Sequence, residues 1–406
     1  MAGPLQGLRV LDLSRILAGP WAAQCLADLG AEVIKIENPK GGDDTRTWGP
    51  PFFDNEGEAV SAYYMCANRG KQSVTIDMSC PDGQLLIKQL AAKSDILVEN
   101  FKVGGLKKYG LDYSALREIN PGLIYCSITG FGQTGPYKDR PGYDLLIQGL
   151  GGLMSITGEA ETVPGSGPQR AGVAVTDLFT GMYSTVAILG ALHHREKTGE
   201  GQHIDMSLLD TQVAVLANQG SNFLVSGNAP RRQGNSHPTI VPYQSFQTKD
   251  GYMILAVGND GQFVRFCNAA GMSGLATDER FKTNPLRVKN RDVLVPLVAS
   301  IIAGKSTDEW VVILEEANVS GGPINSIDRV FADEQVKARG LALSLEQTHG
   351  GSAMPSVANP IRYSNTTIEY QNAPPMLGEQ TDDVLCRILN ITKEDLARER
   401  AKGVLG

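Results

Sequence analysis

The feature that most constrains the fold is a repeated alternation of short apolar runs with helical patterns in the first third of the chain. Residues 8–14 have the pattern of a buried strand, 21–29 that of a helix, and 32–37 that of a second strand. Gly30 is the stop signal of the helix between them. Further strand patterns lie at 74–77, 96–98 and 123–128, with helical patterns at 81–93 and 113–119. Strands and helices that alternate in this way predict an α/β fold with a mainly parallel sheet covered on both faces.

The later part of the chain changes character and indicates more than one domain. A Gly-rich stretch at 149–172 precedes two long helical patterns, and a polar loop at 226–237 then leads into a hairpin pattern and further helices. With 406 residues the chain has room for two or three domains. We predict a large domain that begins with residues 1–224, a smaller α+β domain over 225–325, and a C-terminal segment over 326–406.

The composition excludes several classes of protein. With 37 basic and 44 acidic side chains the net charge is −7, which has the wrong sign for a nucleic-acid-binding surface of the usual kind. The apolar stretches near 186–192 and 293–302 are too short or too interrupted to span a bilayer. Hydrophobic residues form 42% and charged residues 20% of the chain, as in soluble globular proteins. We therefore expect a soluble protein with no nucleic-acid partner and no membrane segment.

The cysteines and the first residues indicate a compartment. None of the six cysteines belongs to a CxxC pair, so we expect no disulfide framework and no zinc site. The first residues lead straight into a strand pattern and lack the features of a signal peptide. We therefore expect reduced thiols in a cytoplasmic protein, or in a mitochondrial one if a transit peptide has been removed.

Several common enzyme fingerprints are missing from the sequence. No GxGxxG follows a strand, which argues against the nicotinamide-dependent dehydrogenase that a βαβ pattern would otherwise favour. Neither a GxSxG elbow nor an HExxH motif occurs. None of the five histidines has metal-ligand spacing with a second His or Cys. We therefore expect neither a nucleotide redox cofactor nor a metal.

One carboxylate, Asp177, stands between an apolar strand-like run and an apolar helical pattern. It is a candidate N-cap of that helix, a position that Asp favours. It is also a candidate nucleophile, because Gly172 and Gly181 would give a substrate close access to it. An Asp with its usual pKa of about 3.9 is ionised at pH 7 and could attack without a general base. The two interpretations are compatible, and the residues alone leave both open.

Several segments follow one another in the order of a known enzyme family. They are LRVLDLSRILAGP at 8–20, GAEVIKIE at 30–37, GDDTRTW at 42–48, NRGKQS at 68–73, VENF at 98–101, GFGQTGP at 130–136 and the segment around Asp177. Their ordered sum makes essentially the whole chain resemble the class III CoA-transferases, the family of formyl-CoA:oxalate and carnitine CoA-transferases. The segments 43–52, 125–130, 241–243, 248–252 and 322–325 are most similar to succinyl-CoA:glutarate (succinate–hydroxymethylglutarate) CoA-transferases.

The resemblance implies a fold. It implies a Rossmann-like large domain with a parallel sheet, a smaller α+β domain, and a C-terminal segment that returns to the large domain. It further implies a homodimer whose two chains interlock like links of a chain, which composition could not have shown.

The resemblance also implies an activity, with coenzyme A bound as part of an acyl-CoA substrate. CoA would pass from an acyl-CoA, with succinyl-CoA the expected donor, to a dicarboxylic acid such as glutarate. Asp177 matches the family's catalytic aspartate, which attacks the donor thioester to form a mixed anhydride. The CoA thiolate then returns to give an aspartyl-CoA thioester, which the acceptor carboxylate attacks before the steps reverse. The expected partners are thus an acyl-CoA, a carboxylic acid and a second copy of the chain.

Residues around the substrate are assigned by the same resemblance. The positions that match CoA contacts are Arg15, Ile16, Ala18, Arg69, Lys71, Asn100, Phe101, Lys108 and Tyr143. Positions near the acyl group or its intermediate are Trp48, Tyr63, Asp144, Gly258 and Gly261. Trp48 could equally be a packing residue, and the loop at 258–262 could equally be a plain turn. A dicarboxylate also needs a cation for its distal carboxylate, and our hypothesis for that cation is Arg46 or Arg232.

Three alternatives differ in their chemistry. A 2-methylacyl-CoA racemase would share the fold, but its Gly-His-Asp pattern is replaced here by Gly142-Tyr143-Asp144. A transferase for another acid pair, such as oxalate, mesaconate or malate, would keep Asp177 and change the acceptor pocket. A CoA-binding protein without turnover would not need Asp177, which is intact.

Overall fold

Helices and strands alternate along the first part of the chain as the sequence predicts. The computed structural model describes residues 3–348 and 350–406. Its strands are β1 Arg9–Asp12, β2 Glu32–Glu37, β3 Phe52–Asn55, β4 Glu58–Ser61, β5 Lys71–Thr75, β6 Ile96–Glu99, β7 Ile124–Thr129, β8 His203–Ser207, β9 Tyr243–Gln247, β10 Tyr252–Ala256, β11 Ser320–Pro323, β12 Ala342–Leu345 and β13 Met354–Val357.

The α-helices, in chain order, are α1 Ala18–Asp28, α2 Ala62–Met65, α3 Pro81–Ala91, α4 Tyr113–Ile119, α5 Asp144–Leu150, α6 Leu153–Ile156, α7 Val175–Thr198, α8 Leu208–Ala214, α9 Ala217–Ser226, α10 Asp260–Ala269, α11 Ser273–Thr277, α12 Asn284–Lys289, α13 Arg291–Ile302, α14 Thr307–Glu316, α15 Ile327–Ala332, α16 Glu334–Ala338, α17 Thr381–Leu389 and α18 Lys393–Ala401. Two short 3₁₀ helices lie at Asp44–Thr47 and Lys107–Tyr109.

Six of the strands form one parallel sheet. Its order is β5-β2-β1-β6-β7-β8, and every neighbouring pair in it is parallel. Numbered within the sheet, this is the order 3-2-1-4-5-6 of doubly wound nucleotide-binding folds. The order reverses between β1 and β6, and in such sheets ligands bind beyond the carboxyl ends of the strands at that point. The predicted parallel α/β sheet is confirmed.

The central strands β1 and β6 are buried on both faces. Successive side chains of a strand point to opposite faces of its sheet. Val10 and Val98 therefore pack in one apolar cluster with α1 and α7, whereas Leu11 and Leu97 pack in the opposite cluster with α3 and α17. All four side chains are fully buried. Burial on both sides explains why these strands read as nearly continuous apolar runs in the sequence.

The chain divides into two compact units. The first contains the described residues of 1–153, 171–221 and 335–406, and the second contains 154–170 and 222–334. In the second unit, β9, β10 and β11 form an antiparallel sheet with the order β11-β10-β9. Helices α10, α13 and α14 contribute to its apolar core, in which Trp310 and Phe263 are almost completely buried.

The second unit differs from the predicted smaller domain of 225–325 by taking in residues 154–170, 222–224 and 326–334. The first of these additions lies within the Gly-rich stretch, for which the sequence predicted no separate domain. Hydrogen bonds join residues 154–170 to the rest of the second unit. The Glu161 N–H donates to the carbonyl oxygen of Arg232 at 3.3 Å. The Arg232 side chain in turn donates from Nε to the carbonyl oxygen of Glu159 at 3.3 Å. Hydrogen bonds between distant segments of this kind leave no pattern in the sequence.

Helix α7 carries Asp177 and is the one helix in the described part that is long and apolar enough to cross a membrane by length and composition alone. This is a weak indication, because core helices of soluble proteins meet the same criterion. Its buried face bears small polar side chains, and Thr180 and Ser184 each donate to the backbone carbonyl four residues earlier at 2.8 Å. Each hydroxyl therefore has an acceptor on its own helix and is buried without an unpaired donor.

At Gly181, α7 approaches α1 closely. A Cβ atom built on Gly181 would lie 2.7 Å from the carbonyl oxygen of Ala18 and 3.0 Å from Trp21 Cδ1. Gly190, on the same helix, is exposed and has no atom within 4 Å of such a Cβ. Both glycines are in the same helix, but only at Gly181 would a side chain meet α1.

Substitution of these two glycines by alanine tests the packing. Gly181→Ala is expected to lower the free energy of unfolding by about 1–3 kcal/mol, because overpacking outweighs the helix propensity that alanine gains. Gly190→Ala is expected to leave it unchanged or raise it by up to about 1 kcal/mol. Urea denaturation of both variants measures the difference. Equal stabilisation by both substitutions would contradict the close approach.

Candidate active site

A large cavity of the first unit lies at the switch point between β1 and β6. Its volume is about 700 Å³, and its wall includes residues that follow the carboxyl ends of both strands. Arg15 and Ile16 come from the loop after β1, and Asn100 and Phe101 come from the loop after β6. Asp177 lines the same cavity. The sheet therefore brings together segments that are distant in sequence, at the edge where doubly wound folds bind ligands.

Asp177 is the third residue of α7, and the N-cap residue is Ala174. The interpretation of Asp177 as the N-cap is therefore wrong. The capping role belongs to Asp144, the first residue of α5, whose Oδ1 accepts from the backbone N–H groups of Thr176 at 2.8 Å and Asp177 at 3.2 Å. Gln148 Nε2 donates to the other oxygen of Asp144 at 2.6 Å. A carboxylate from another helix thus satisfies the free N–H groups at the start of α7.

The Asp177 carboxyl group is only 9% exposed. Burial, and then the negative charge of Asp144, raise its pKa to about 7. The sequence analysis expected Asp177 to be fully ionised at pH 7. With a pKa of about 7, Asp177 is only partly ionised at neutral pH. A carboxyl group with a strongly shifted pKa in the wall of a large cavity is typical of a functional site.

Trp48 and Tyr63 pack against each other, with ring centroids 5.0 Å apart in an edge-to-face arrangement. Burial, and then the negative charge of Asp177, raise the pKa of Tyr63 to about 12. Neither Trp48 nor Tyr63 is among the residues that line the cavity. Trp48 keeps 40% of its surface exposed, so packing does not account for all of it.

Seven of the nine predicted CoA contacts line the cavity. They are Arg15, Ile16, Ala18, Asn100, Phe101, Lys108 and Tyr143. The Arg15 guanidinium lies over the Phe101 ring at 5.5 Å and makes an exposed ion pair with Asp44 at 3.0 Å. These residues come from four segments of the sequence, and the structure gathers them around one space.

Arg69 and Lys71 do not line the cavity, and their contact with CoA stays a prediction. Lys71 has no exposed side-chain surface, and its Nζ donates to Asp12 Oδ2 and to the carbonyl oxygen of Pro20, both at 2.9 Å. Burial lowers its pKa to about 8. Arg69 makes a two-fold pair with Asp28 at 2.8 and 2.6 Å. Both cations form ion pairs with buried acids inside the first unit.

Neither arginine predicted for the distal carboxylate has an unpaired guanidinium. Arg46 binds both carboxylate oxygens of Glu37 at 2.8 and 2.6 Å and also donates to Tyr64 Oη at 2.6 Å. Arg232 belongs to the second unit and lies 3.8 Å from Glu161 Oε1. The role of each at an acceptor carboxylate stays a prediction, and each would have to exchange its present partner.

Gly258 and Gly261 lie in the second unit at the start of α10. The Gly258 N–H donates to Gln262 Oε1 at 2.7 Å, and Asn259 caps the helix by accepting from the Gln262 N–H at 2.9 Å. The segment is thus a capped helix start after β10. Its part in covering an intermediate stays a prediction.

Five cations of the cavity wall were missed by the sequence reasoning. They are Lys35, Lys40, Lys102, Lys138 and Arg140. A signal was available for some of them. Lys102 directly follows the matched residue Phe101, and Lys138 and Arg140 come shortly after the matched segment 130–136. Loops after parallel strands, rather than family matches alone, would have identified them. Among the residues that the structure describes, no group of three or more His, Cys, Asp or Glu side chains could hold a metal ion.

Comparison with known proteins identifies the family. The sequence profile of CoA-transferase family III matches residues 5–381. A succinate–glutarate CoA-transferase of Agrobacterium fabrum is 52% identical over 96% of this chain and 97% of that protein. The human succinyl-CoA:glutarate CoA-transferase is 43% identical over 99% of this chain and 90% of the human protein. The crystal structure of a CAIB/BAIF family protein from Brucella suis superposes with a TM-score of 0.86 at 50% identity, over 96% of this chain and 100% of that chain. The chain therefore belongs to CoA-transferase family III.

Proposed function

We propose that this protein transfers CoA from succinyl-CoA to glutarate through an aspartyl-CoA thioester on Asp177. Membership of the family makes CoA thioesters its substrates. The acid pair is supported by the relatives at 52% and 43% identity, whose names specify succinate and glutarate. The observation that carries the mechanism is the Asp177 carboxyl group, which is buried in the wall of the large cavity and has a pKa of about 7.

The cavity suits the CoA moiety in size and charge. Its volume of about 700 Å³ lies within the range of small-molecule and cofactor sites. Besides Lys35, which is paired with Asp43, the cations in its wall are Arg15, Lys40, Lys102, Lys108, Lys138 and Arg140. They would neutralise the phosphates of CoA, so the net charge of −7 does not oppose binding.

The steps balance without an external acid or base. A carboxylate oxygen of Asp177 attacks the thioester carbonyl of succinyl-CoA, and the C–S bond breaks. The CoA thiolate is released, and a mixed anhydride of succinate and Asp177 forms. The thiolate attacks the carbonyl carbon of Asp177 and releases succinate, which gives the aspartyl thioester. Glutarate attacks this thioester through its carboxylate, and the released thiolate then attacks the glutaryl carbonyl. Glutaryl-CoA forms, and the Asp177 carboxylate is regenerated.

The surroundings of Asp177 favour its covalent forms. The anhydride and the thioester carry no charge on Asp177, whereas the free carboxylate does. Burial and the nearby charge of Asp144 both disfavour that free carboxylate, as the raised pKa of Asp177 shows. The same two factors therefore lower the free energy of the acylated states relative to the resting enzyme.

Replacement of Asp177 tests the nucleophile and the acid pair together. Wild-type protein with succinyl-CoA is expected to form glutaryl-CoA faster than the thioesters of oxalate, mesaconate or malate, as read by mass spectrometry. Asp177→Asn, which keeps the shape of the side chain, is expected to lower transfer by at least about 10³-fold. Hydroxylamine added during turnover should convert Asp177 to a hydroxamate. Full transfer by Asp177→Asn would refute the mechanism.

The pH profile tests the role of Asp144. Because the attacking form is the carboxylate, kcat/KM is expected to rise with pH and level off above an apparent pKa of about 7. Asp144→Asn removes the negative charge that raises the pKa of Asp177, so the rise should move to lower pH. Asp139→Asn, an exposed acid of the preceding loop, is the matched control. A profile that Asp144→Asn leaves in place would contradict the electrostatic role of Asp144.

A homodimer is part of the proposal, supported by an apolar stripe on α7. Phe179, Met182, Tyr183, Val186 and Leu189 follow helical spacing and are each 37–62% exposed. A contiguous exposed surface of this kind marks a protein interface. A second copy of the chain is the proposed cover, and the interlocked arrangement stays a prediction from family resemblance.

A charged residue in the stripe tests the dimer. Wild-type protein is expected to have twice the chain mass of 43.5 kDa in light scattering. Val186→Glu is expected to shift it to the monomer or to aggregates, because an unpaired charge would be buried at the interface. Glu196→Gln, on the same helix beyond the stripe, should leave the mass unchanged. A monomeric wild type would refute this part of the proposal.

A further inference from the structure

Ile16 has a backbone conformation that is unusual for its side chain. Its φ is +71°, in the left-handed region that β-branched residues avoid because Cβ crowds the neighbouring carbonyl oxygen. The other non-glycine residues with positive φ in the described ranges are Glu56, Ala217, Asn318 and Asn390. Ile16 is the only β-branched residue among these five. A strained conformation of this kind persists only where its surroundings enforce it.

Asp43 enforces the conformation from one side. The Ile16 N–H donates to Asp43 Oδ1 at 3.2 Å, and Lys35 Nζ donates to Asp43 Oδ2 at 2.9 Å. The same Lys35 Nζ donates to the carbonyl oxygen of Ser14 at 2.8 Å. Both charged side chains are fully buried. Although burial alone would raise it, the Lys35 ammonium holds the pKa of Asp43 at about 2, so the carboxylate is ionised at neutral pH.

Asn100 holds the same loop from the other side. Its Oδ1 accepts from the Arg15 N–H at 2.9 Å, and its Nδ2 donates to the Arg15 carbonyl oxygen at 2.6 Å. Asn100 directly follows β6, whereas Lys35 belongs to β2. Because β2 and β6 are the two neighbours of β1, the loop after β1 is tied to both sides of the sheet.

This strain is located in the wall of the substrate cavity. Ile16, Asn100, Asp43 and Asp177 all line the same space. Glu56, in contrast, lies in the turn between β3 and β4 and does not line it. Ile16 therefore differs from Glu56 in its location. Its loop is fixed at the edge of the sheet where doubly wound folds bind ligands.

We propose that Ile16 is a positioning residue whose left-handed backbone, fixed by Asp43 and Asn100, holds the cavity wall in the shape that binds the CoA moiety of the substrate. The proposal rests on the proposed function, because it takes a CoA thioester as the ligand. Strain at Ile16 lowers the stability of the free protein, and the fixed loop makes binding tighter because less conformational freedom is lost when CoA binds.

Three substitutions of Ile16 separate conformation from side chain. Ile16→Ala removes the side chain and keeps most of the strain. Ile16→Asn and Ile16→Gly relieve strain, but only Asn favours the left-handed region over the broad range that Gly visits. We expect a higher Tm for the Asn and Gly variants than for the Ala variant. We expect the Kd for CoA, measured by calorimetry, to be roughly fivefold higher for Ile16→Gly than for Ile16→Asn.

Steady-state kinetics add a second readout. The KM for succinyl-CoA should follow the same order as the Kd, whereas the KM for glutarate and kcat should differ little between the Gly and Asn variants. A merely structural role would move Tm without this split between the two substrates. The control Glu56→Gly, at an exposed left-handed position outside the cavity, should leave the Kd for CoA unchanged.

Two results would overturn the proposal. A Tm for Ile16→Gly below that of Ile16→Ala would show that no strain is stored at this position. Equal CoA affinity of Ile16→Gly and Ile16→Asn would show that binding does not use the fixed conformation. A wild type that binds CoA but forms no glutaryl-CoA would refute the proposed acid pair alone, because the calorimetric comparison would still apply. A wild type that binds no CoA would refute both.

Discussion

Two buried ion pairs at the carboxyl end of the parallel sheet hold the parts around the cavity in place. Lys35–Asp43 and Lys71–Asp12 have no exposed side-chain surface. Removal of one partner from a buried pair typically destabilises a protein by about 3–5 kcal/mol, because the other charge is left uncompensated. The two ammonium groups also donate to the loop after β1 and to the start of α1, so both segments keep their position only while the pairs are intact. The shape of the cavity thus depends on charges that are paired with each other within the protein.

Asp177 is subject to the opposite arrangement. The charge that acts on its pKa is that of another acid, Asp144, which caps α7 and at the same time disfavours the ionised form of Asp177. Lys35, Arg46, Arg69 and Lys71 are instead paired with acids of their own. Under the proposed mechanism, acylation of Asp177 would remove a charge that burial and Asp144 disfavour.

The parallel sheet could be predicted from the sequence because strand periodicity is a local property, and seven of the nine CoA contacts assigned by family resemblance lie in the cavity wall. The fate of individual cations could not be predicted. Arg69, Lys71 and Arg46 look like surface cations in sequence, and they are buried because Asp28, Asp12 and Glu37 neutralise them across the fold. The capping of α7 by Asp144 was hidden for the same reason, since it joins residues 33 positions apart. Pairing between distant residues decides which charges remain available to a ligand.

The close approach of α1 and α7 has a consequence for how substrate range can change. Because Gly181 leaves space for the carbonyl oxygen of Ala18, the separation of the two helices is set by backbone atoms. Ala18 lines the cavity and Asp177 lies in the first turn of the same helix as Gly181, so Asp177 keeps a constant register against the cavity wall. Trp48, predicted to lie near the acyl group, belongs to neither helix and can be exchanged without altering that register. Under the proposed function, the chemistry and the selection of the acid thus rest on separate parts of the scaffold.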